Sequence, residues 1–129
     1  MPHKEPLYAN DWFRIGEKEI RRAEILLNTK DLEGAGFNIQ QAVEKYLKGF
    51  LLSRGGSLRR IHELDSLLND TVAYEPSLEE FREARLKITE YYLEERSPSA
   101  IPSKLNKQEV AESLKVATKR IEKIRSIVT

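Results

Sequence analysis

The chain contains no cysteine, which removes disulfides, thiolate metal sites and thiol nucleophiles and suits a reducing cytosol. Histidine is scarce too. His3 and His62 lie far apart and form no ligand-like spacing, so a zinc site would need carboxylates to complete it. No stretch approaches the roughly 18 apolar residues of a membrane span, and Met1-Pro2-His3-Lys4-Glu5 has no apolar run behind its charges. A glycine-rich phosphate loop, a His-Glu-x-x-His helix and a Gly-x-Ser-x-Gly elbow are all missing. Gly34-Ala35-Gly36 follows no strand pattern and reads as a small, flexible helix entry. These absences lead us to expect a soluble, cytoplasmic protein with no membrane partner, metal or cofactor.

Charge of one sign is also lacking. Lys and Arg (22) nearly cancel Asp and Glu (21), so bulk charge selects no partner although charged residues make up 33% of the chain. A length of 129 residues fits one domain, 1–129, which can bury roughly two thirds of its unfolded surface around a single core.

What is present is helical periodicity. Asn10 or Asp11 is the expected N-cap of a first helix, in which Phe13, Gly16, Ile20, Ala23 and Leu27 recur every three to four residues. Trp12, Ile15 and Leu26 widen that stripe, and Gly16 offers a point of close helix approach at about 1 kcal/mol relative to alanine. Thr29-Lys30-Asp31 reads as a turn. In the second helix, Ile39, Ala42, Val43, Tyr46, Leu47, Phe50 and Leu51 form a broad apolar face. Arg54-Gly55-Gly56 closes it, because glycine accepts the left-handed conformation of a helix C-terminus.

A short helix with Ile61, Leu64, Leu67 and Leu68 is expected to exit at Asn69-Asp70, and the next to begin at Pro76-Ser77 with Leu78, Phe81, Arg85, Ile88 and Tyr92 in register. Pro98 and Pro102 make the Ser97–Ser103 stretch a loop. Val110, Leu114, Ala117, Ile121, Ile124 and Val128 then form a heptad-like seam on a last helix of about 30 Å. Without strand alternation or repeats, the fold class is all-α: an antiparallel up-and-down bundle of about five helices.

Gln41, Glu44, Lys45 and Lys48 share a polar stripe opposite the apolar face of the second helix, with Glu44 four residues before Lys48. Two readings stand. Either the stripe is a solvated surface with an ion pair worth a few tenths of a kcal/mol, or its cations converge with Arg59, Arg60, His62 and Arg96 on a rim that binds phosphate. His62 likewise is either hydrogen-bonded within its own helix start or contacts a base or phosphate, or acts as an acid/base. The adjacent pairs Glu79-Glu80 and Glu94-Glu95 diverge by about 100° around a helix and read as solvated faces.

The stretch Ala35-Gly36-Phe37-Asn38-Ile39-Gln40-Gln41-Ala42-Val43-Glu44-Lys45-Tyr46-Leu47-Lys48-Gly49-Phe50-Leu51 resembles the second-helix signature of the HEPN domain, named for higher eukaryotes and prokaryotes nucleotide-binding. Ile61-His62-Glu63-Leu64 resembles its next signature, and Glu95-Arg96-Ser97-Pro98 its Arg-Tyr-Pro element, with Ser97 in place of tyrosine. The resemblance implies a helical bundle that commonly forms a homodimer, is often encoded beside a small nucleotidyltransferase, and in many members belongs to a toxin-antitoxin pair. Catalytic members are metal-independent ribonucleases built on an Arg-x4-6-His pair that meets across the dimer. No such pair occurs here: Ile101, Pro102 and Ser103 stand at those distances after Arg96, and Gly55, Gly56 and Ser57 before His62.

The expectation is therefore a non-catalytic protein that dimerises and binds a nucleotide, RNA or a nucleotidyltransferase partner. Lys45, Lys48 and Arg96 would meet phosphates, and Gln41 and His62 a base or ribose, with Glu44 in the same site. The competing readings are a ribonuclease toxin using His62 and Arg96, or a structural module whose Val110–Val128 seam or Trp12 face packs on a partner.

Overall fold

Helix α2, Leu32–Ser53, is the element around which the others are placed. The computed structural model describes residues 8–55, 64–82 and 106–128. Besides α2 they form α1 (Ala9–Asn28), α3 (Leu64–Tyr74), a 3₁₀ turn (Pro76–Glu80) and α4 (Lys107–Val128). No strand occurs among the described residues, so the fold is all-α. Its four described α-helices are fewer than the five or so expected. Of the expected helix from Pro76, the described residues show a 3₁₀ turn followed by helical Phe81 and Arg82, and Arg85, Ile88 and Tyr92 lie outside them. Glu75 is extended at φ −141 and ψ 90, and the proline that follows cannot donate a hydrogen bond, so the chain re-enters helical geometry through a tight 3₁₀ turn.

The apolar face read from α2 is buried at all seven positions, Ile39 to Leu51. From Ala42 to Leu51 only Lys45 is more than marginally exposed, because α1, α3 and α4 all pack against this stretch. Fully burying a side chain such as Leu47 or Phe50 contributes roughly 1.5–3 kcal/mol. The α4 seam also faces inward, with Val110, Ala117, Ile121 and Ile124 buried and Leu114 and Val128 packed on the core from its edge. It is therefore a core face within this chain.

Helices α1 and α2 form an antiparallel hairpin with two close approaches. A Cβ on Gly16 would lie 2.6 Å from the Tyr46 ring, and one on Gly49 would lie 2.5 Å from the Phe13 ring and 3.1 Å from the Ala9 carbonyl oxygen. Each ring thus sits over the other helix's glycine, and the two stack with centroids 5.2 Å apart at 15°. Burial pushes the Tyr46 phenol above its ordinary pKa; Arg125 opposes this and Glu17 adds to it.

The hairpin turn is tied at both ends. The Asp31 N–H bonds to the Leu26 carbonyl (2.8 Å) and the Lys30 N–H to the Leu27 carbonyl (3.1 Å), a Schellman closure that puts Lys30 at φ 66. Asp31 then caps α2, its carboxylate accepting from the Gly34 N–H at 3.0 Å. At the other end of α2, Gly55 takes φ +78 as expected of a helix-closing glycine.

Three features depart from expectation. Helix α1 starts at Ala9 with Tyr8 in the N-cap position and no side-chain cap, and Asp11 instead pairs with Arg14 at 3.0 Å inside the first turn. Helix α3 runs past Asn69-Asp70 to Tyr74, and Thr71 within it is buried, its hydroxyl donating to the Leu67 carbonyl at 2.7 Å. Glu80 is more than a solvated carboxylate. It meets Lys123 at 2.8 Å and Arg120 at 2.9 Å, tying the 3₁₀ turn to α4. The Lys123 hydrogen bond, with the charges of Arg120 and Lys123, holds the Glu80 carboxyl below its ordinary pKa against the opposing effect of burial.

Gly49→Ala gains roughly 1 kcal/mol of helix propensity but drives a methyl into a stacked ring and a backbone oxygen, an overpacking worth about 1–3 kcal/mol. The steric cost wins, so thermal melting should fall by several degrees. An unchanged or higher midpoint would show that the two helices have room to spare.

Candidate ligand-binding site

The polar stripe of α2 is buried at two of its four positions. Glu44 and Lys48 are ion-paired at 3.1 Å and only 3% and 6% exposed. Trp12, in the first turn of α1, lies against the lysine of this pair. The Lys48 ammonium lies 5.3 Å from the centre of the indole ring and the Lys45 ammonium 5.9 Å, both within cation–π range. The close approach at Gly16 and Gly49 brings Trp12 to this position, since Phe13, its neighbour, sits on Gly49.

Burial changes the energetics. An exposed pair of this spacing contributes a few tenths of a kcal/mol, whereas a pair taken out of water carries a desolvation cost of several kcal/mol per ion that Coulomb attraction and further hydrogen bonds must offset. Glu44 makes more polar contact than the Lys48 pair alone. Lys48 is thereby committed to Glu44 and to the indole face. Lys45 is half-exposed and forms no ion pair among the described residues. Gln41, one turn earlier on the same line, is also half-buried, and Phe37, a further turn back, is 39% exposed.

Of the expected site residues, the structure therefore brings Gln41, Glu44, Lys45 and Lys48 onto one strip. It divides them into a buried pair and two groups that reach water. His62 and Arg96 lie outside the described residues, as do Arg59, Arg60 and the Ser97–Ser103 stretch. Trp12 was legible only as part of the apolar stripe of α1. Matching Gly16 and Gly49 as the two close-approach points would have set it opposite Lys48, but that match needs both helices at once.

Among the described residues no group of three or more His, Cys, Asp or Glu could hold a metal ion, and no helix is long and apolar enough to cross a membrane.

The fold and strip define an all-α protein with a charged seam let into its central helix. The model of the HEPN domain matches residues 9–127, and the chain belongs to that family. Among solved structures it is similar to TT1696 from Thermus thermophilus, with TM-score 0.76 and 29% identity over 94% of this chain and 98% of that one. It shares its fold with ST0689, an archaeal HEPN homologue, at TM-score 0.67 and 19% identity over 95% and 98% of the two chains. No curated protein matches the sequence.

Removing one partner of the buried pair should cost more than removing both. Glu44→Ala strands the Lys48 ammonium and is expected to destabilise by about 3–5 kcal/mol, whereas the Glu44→Leu, Lys48→Met double variant should recover most of that. Equal and additive losses in a double-mutant cycle would show that the two charges do not depend on each other.

Proposed function

We propose that this chain is a non-catalytic HEPN protein that dimerises and binds a nucleotide, a small nucleotidyltransferase, or both, through the strip bearing Gln41 and Lys45 and backed by the Glu44–Lys48 pair. The observation that carries the binding half is Lys45. It is a half-exposed ammonium with no ion pair among the described residues, beside a buried ion pair under an indole. An ammonium beside a low-dielectric wall attracts a phosphate more strongly than one surrounded by water. Gln41, with one acceptor and two donor hydrogens, suits a base or ribose edge.

The lack of any Arg-x4-6-His pair supports the non-catalytic reading. In this proposal the chain works in the cytoplasm as one domain over residues 1–129, and His62 and Arg96 complete the rim. The dimer, the nucleotidyltransferase partner and the toxin-antitoxin setting rest on the family resemblance.

Thermal unfolding against ATP, GTP and a short RNA tests it, because a ligand at a hundred times its Kd adds about 2.7 kcal/mol to stability. A saturable rise in the melting midpoint with a nucleotide is expected, and Lys45→Ala should abolish most of it while leaving the unliganded midpoint nearly unchanged. No shift with any nucleotide would move the chain to the class of partner-binding structural modules. Metal-independent RNA cleavage lost in His62→Ala would move it to the ribonucleases.

A further inference from the structure

The exposed faces of α1 and α2 differ in kind. On α1 the charges neutralise one another at helical spacing, through Asp11–Arg14, Glu17–Arg21 and Glu19–Arg22. On α2, between Gly34 and Leu51, the positions that reach water are Gly34, Phe37, Asn38, Gln40, Gln41 and Lys45. No carboxylate is among them, although acidic residues nearly match basic ones over the whole chain. The stripe instead joins an aromatic ring, carboxamides and one ammonium. Gln40 buries its carboxamide oxygen, whereas neither the Asn38 nor the Gln41 side chain forms a hydrogen bond among the described residues. Single exposed apolar side chains are ordinary and need no explanation. What sets Phe37, at 39% exposed, apart from Ile25 or Tyr74 is this polar company.

We infer that this stripe is a nucleobase platform: an unpaired base stacks on Phe37, Asn38 and Gln41 meet its edge, and the phosphate it carries reaches Lys45. This rests on the proposed nucleotide-binding reading and adds to it the residues that recognise the base. Spacing suits the ligand. Phe37, Gln41 and Lys45 follow at four-residue steps, so each lies roughly 6 Å further along the axis than the last, in the order base, ribose and phosphate. An aromatic ring supplies the flat apolar surface on which every base can stack. A base edge sets donors and acceptors side by side, and a carboxamide, with one acceptor and two donor hydrogens, matches that pattern. Other occupants use less of the stripe. A hydrocarbon would leave both carboxamides unpaired, and an inorganic phosphate would engage Lys45 but not the ring.

Binding of ATP, a short single-stranded RNA and inorganic pyrophosphate to the wild type and to Phe37→Leu tests the platform, because the substitution keeps apolar bulk and removes the ring. The variant's affinity for ATP should fall about tenfold, the scale of a lost base–aromatic stack. Pyrophosphate, which has no base, should bind it as before, whereas Lys45→Ala should weaken both ligands. Should Phe37→Leu fail to fold, NMR of the wild type decides the matter: the Phe37 ring protons should shift with ATP and stay fixed with pyrophosphate. Wild-type ATP affinity in Phe37→Leu, an equal loss for ATP and pyrophosphate, or ring signals unmoved by bound ATP overturns the platform and leaves the Lys45 reading standing. No binding of the wild type to any of the three ligands overturns both. RNA binding without ATP binding, weakened in Phe37→Leu, supports the platform and assigns its base to a strand and not to a free nucleotide.

Discussion

The close approach of α1 and α2 at Gly16 and Gly49 is the constraint on which the rest of this structure depends. Neither glycine is there for a turn. Each vacates the space that a ring from the other helix fills, and the two rings then stack on one another. The geometry locks the register of the hairpin, and the register in turn decides which residue of α1 lies over the polar strip of α2. A different register would take Trp12 off Lys45 and Lys48. The site is thus a consequence of packing two helices at short range.

That dependence explains what was legible in the sequence. Periodicity reads one helix at a time, and it recovered the buried face of α2 from Ile39 to Leu51, the inward seam of α4 and the stripe of α1. It also located the turn at Thr29-Lys30-Asp31 and the stop at Gly55, the second because glycine readily takes the left-handed backbone found there. Residues of uncertain capping value misled it. Asn10 and Asp11 look like caps, yet α1 begins before them without a side-chain cap. Asn69 and Asp70 look like an exit, yet Thr71, bonding back to the Leu67 carbonyl, sits in a helix that runs on to Tyr74.

The candidate site was legible as a list of residue types and illegible as an environment. Spacing alone placed Gln41, Glu44, Lys45 and Lys48 on one line and paired Glu44 with Lys48. It could not say that Trp12 lies against Lys45 and Lys48, because burial of a polar stripe is a property of two helices. The same four residues, which in isolation read either as a solvated surface or as part of a phosphate-binding rim, divide in the fold into the buried Glu44–Lys48 pair and the half-buried Gln41 and Lys45. Of the two lysines proposed to meet phosphate, this division leaves Lys45 at the surface.

The most direct test of the account uses the intrinsic fluorescence of Trp12, the only tryptophan in the chain. A buried indole flanked by two lysines should emit to the blue of an exposed one in the folded protein. Its emission should change saturably as pyrophosphate or ATP is added, with the same midpoint as the thermal shift. Emission typical of exposed tryptophan, or a signal that stays fixed at ligand concentrations that raise the melting midpoint, would contradict the placement of Trp12 over the strip and the site built on it.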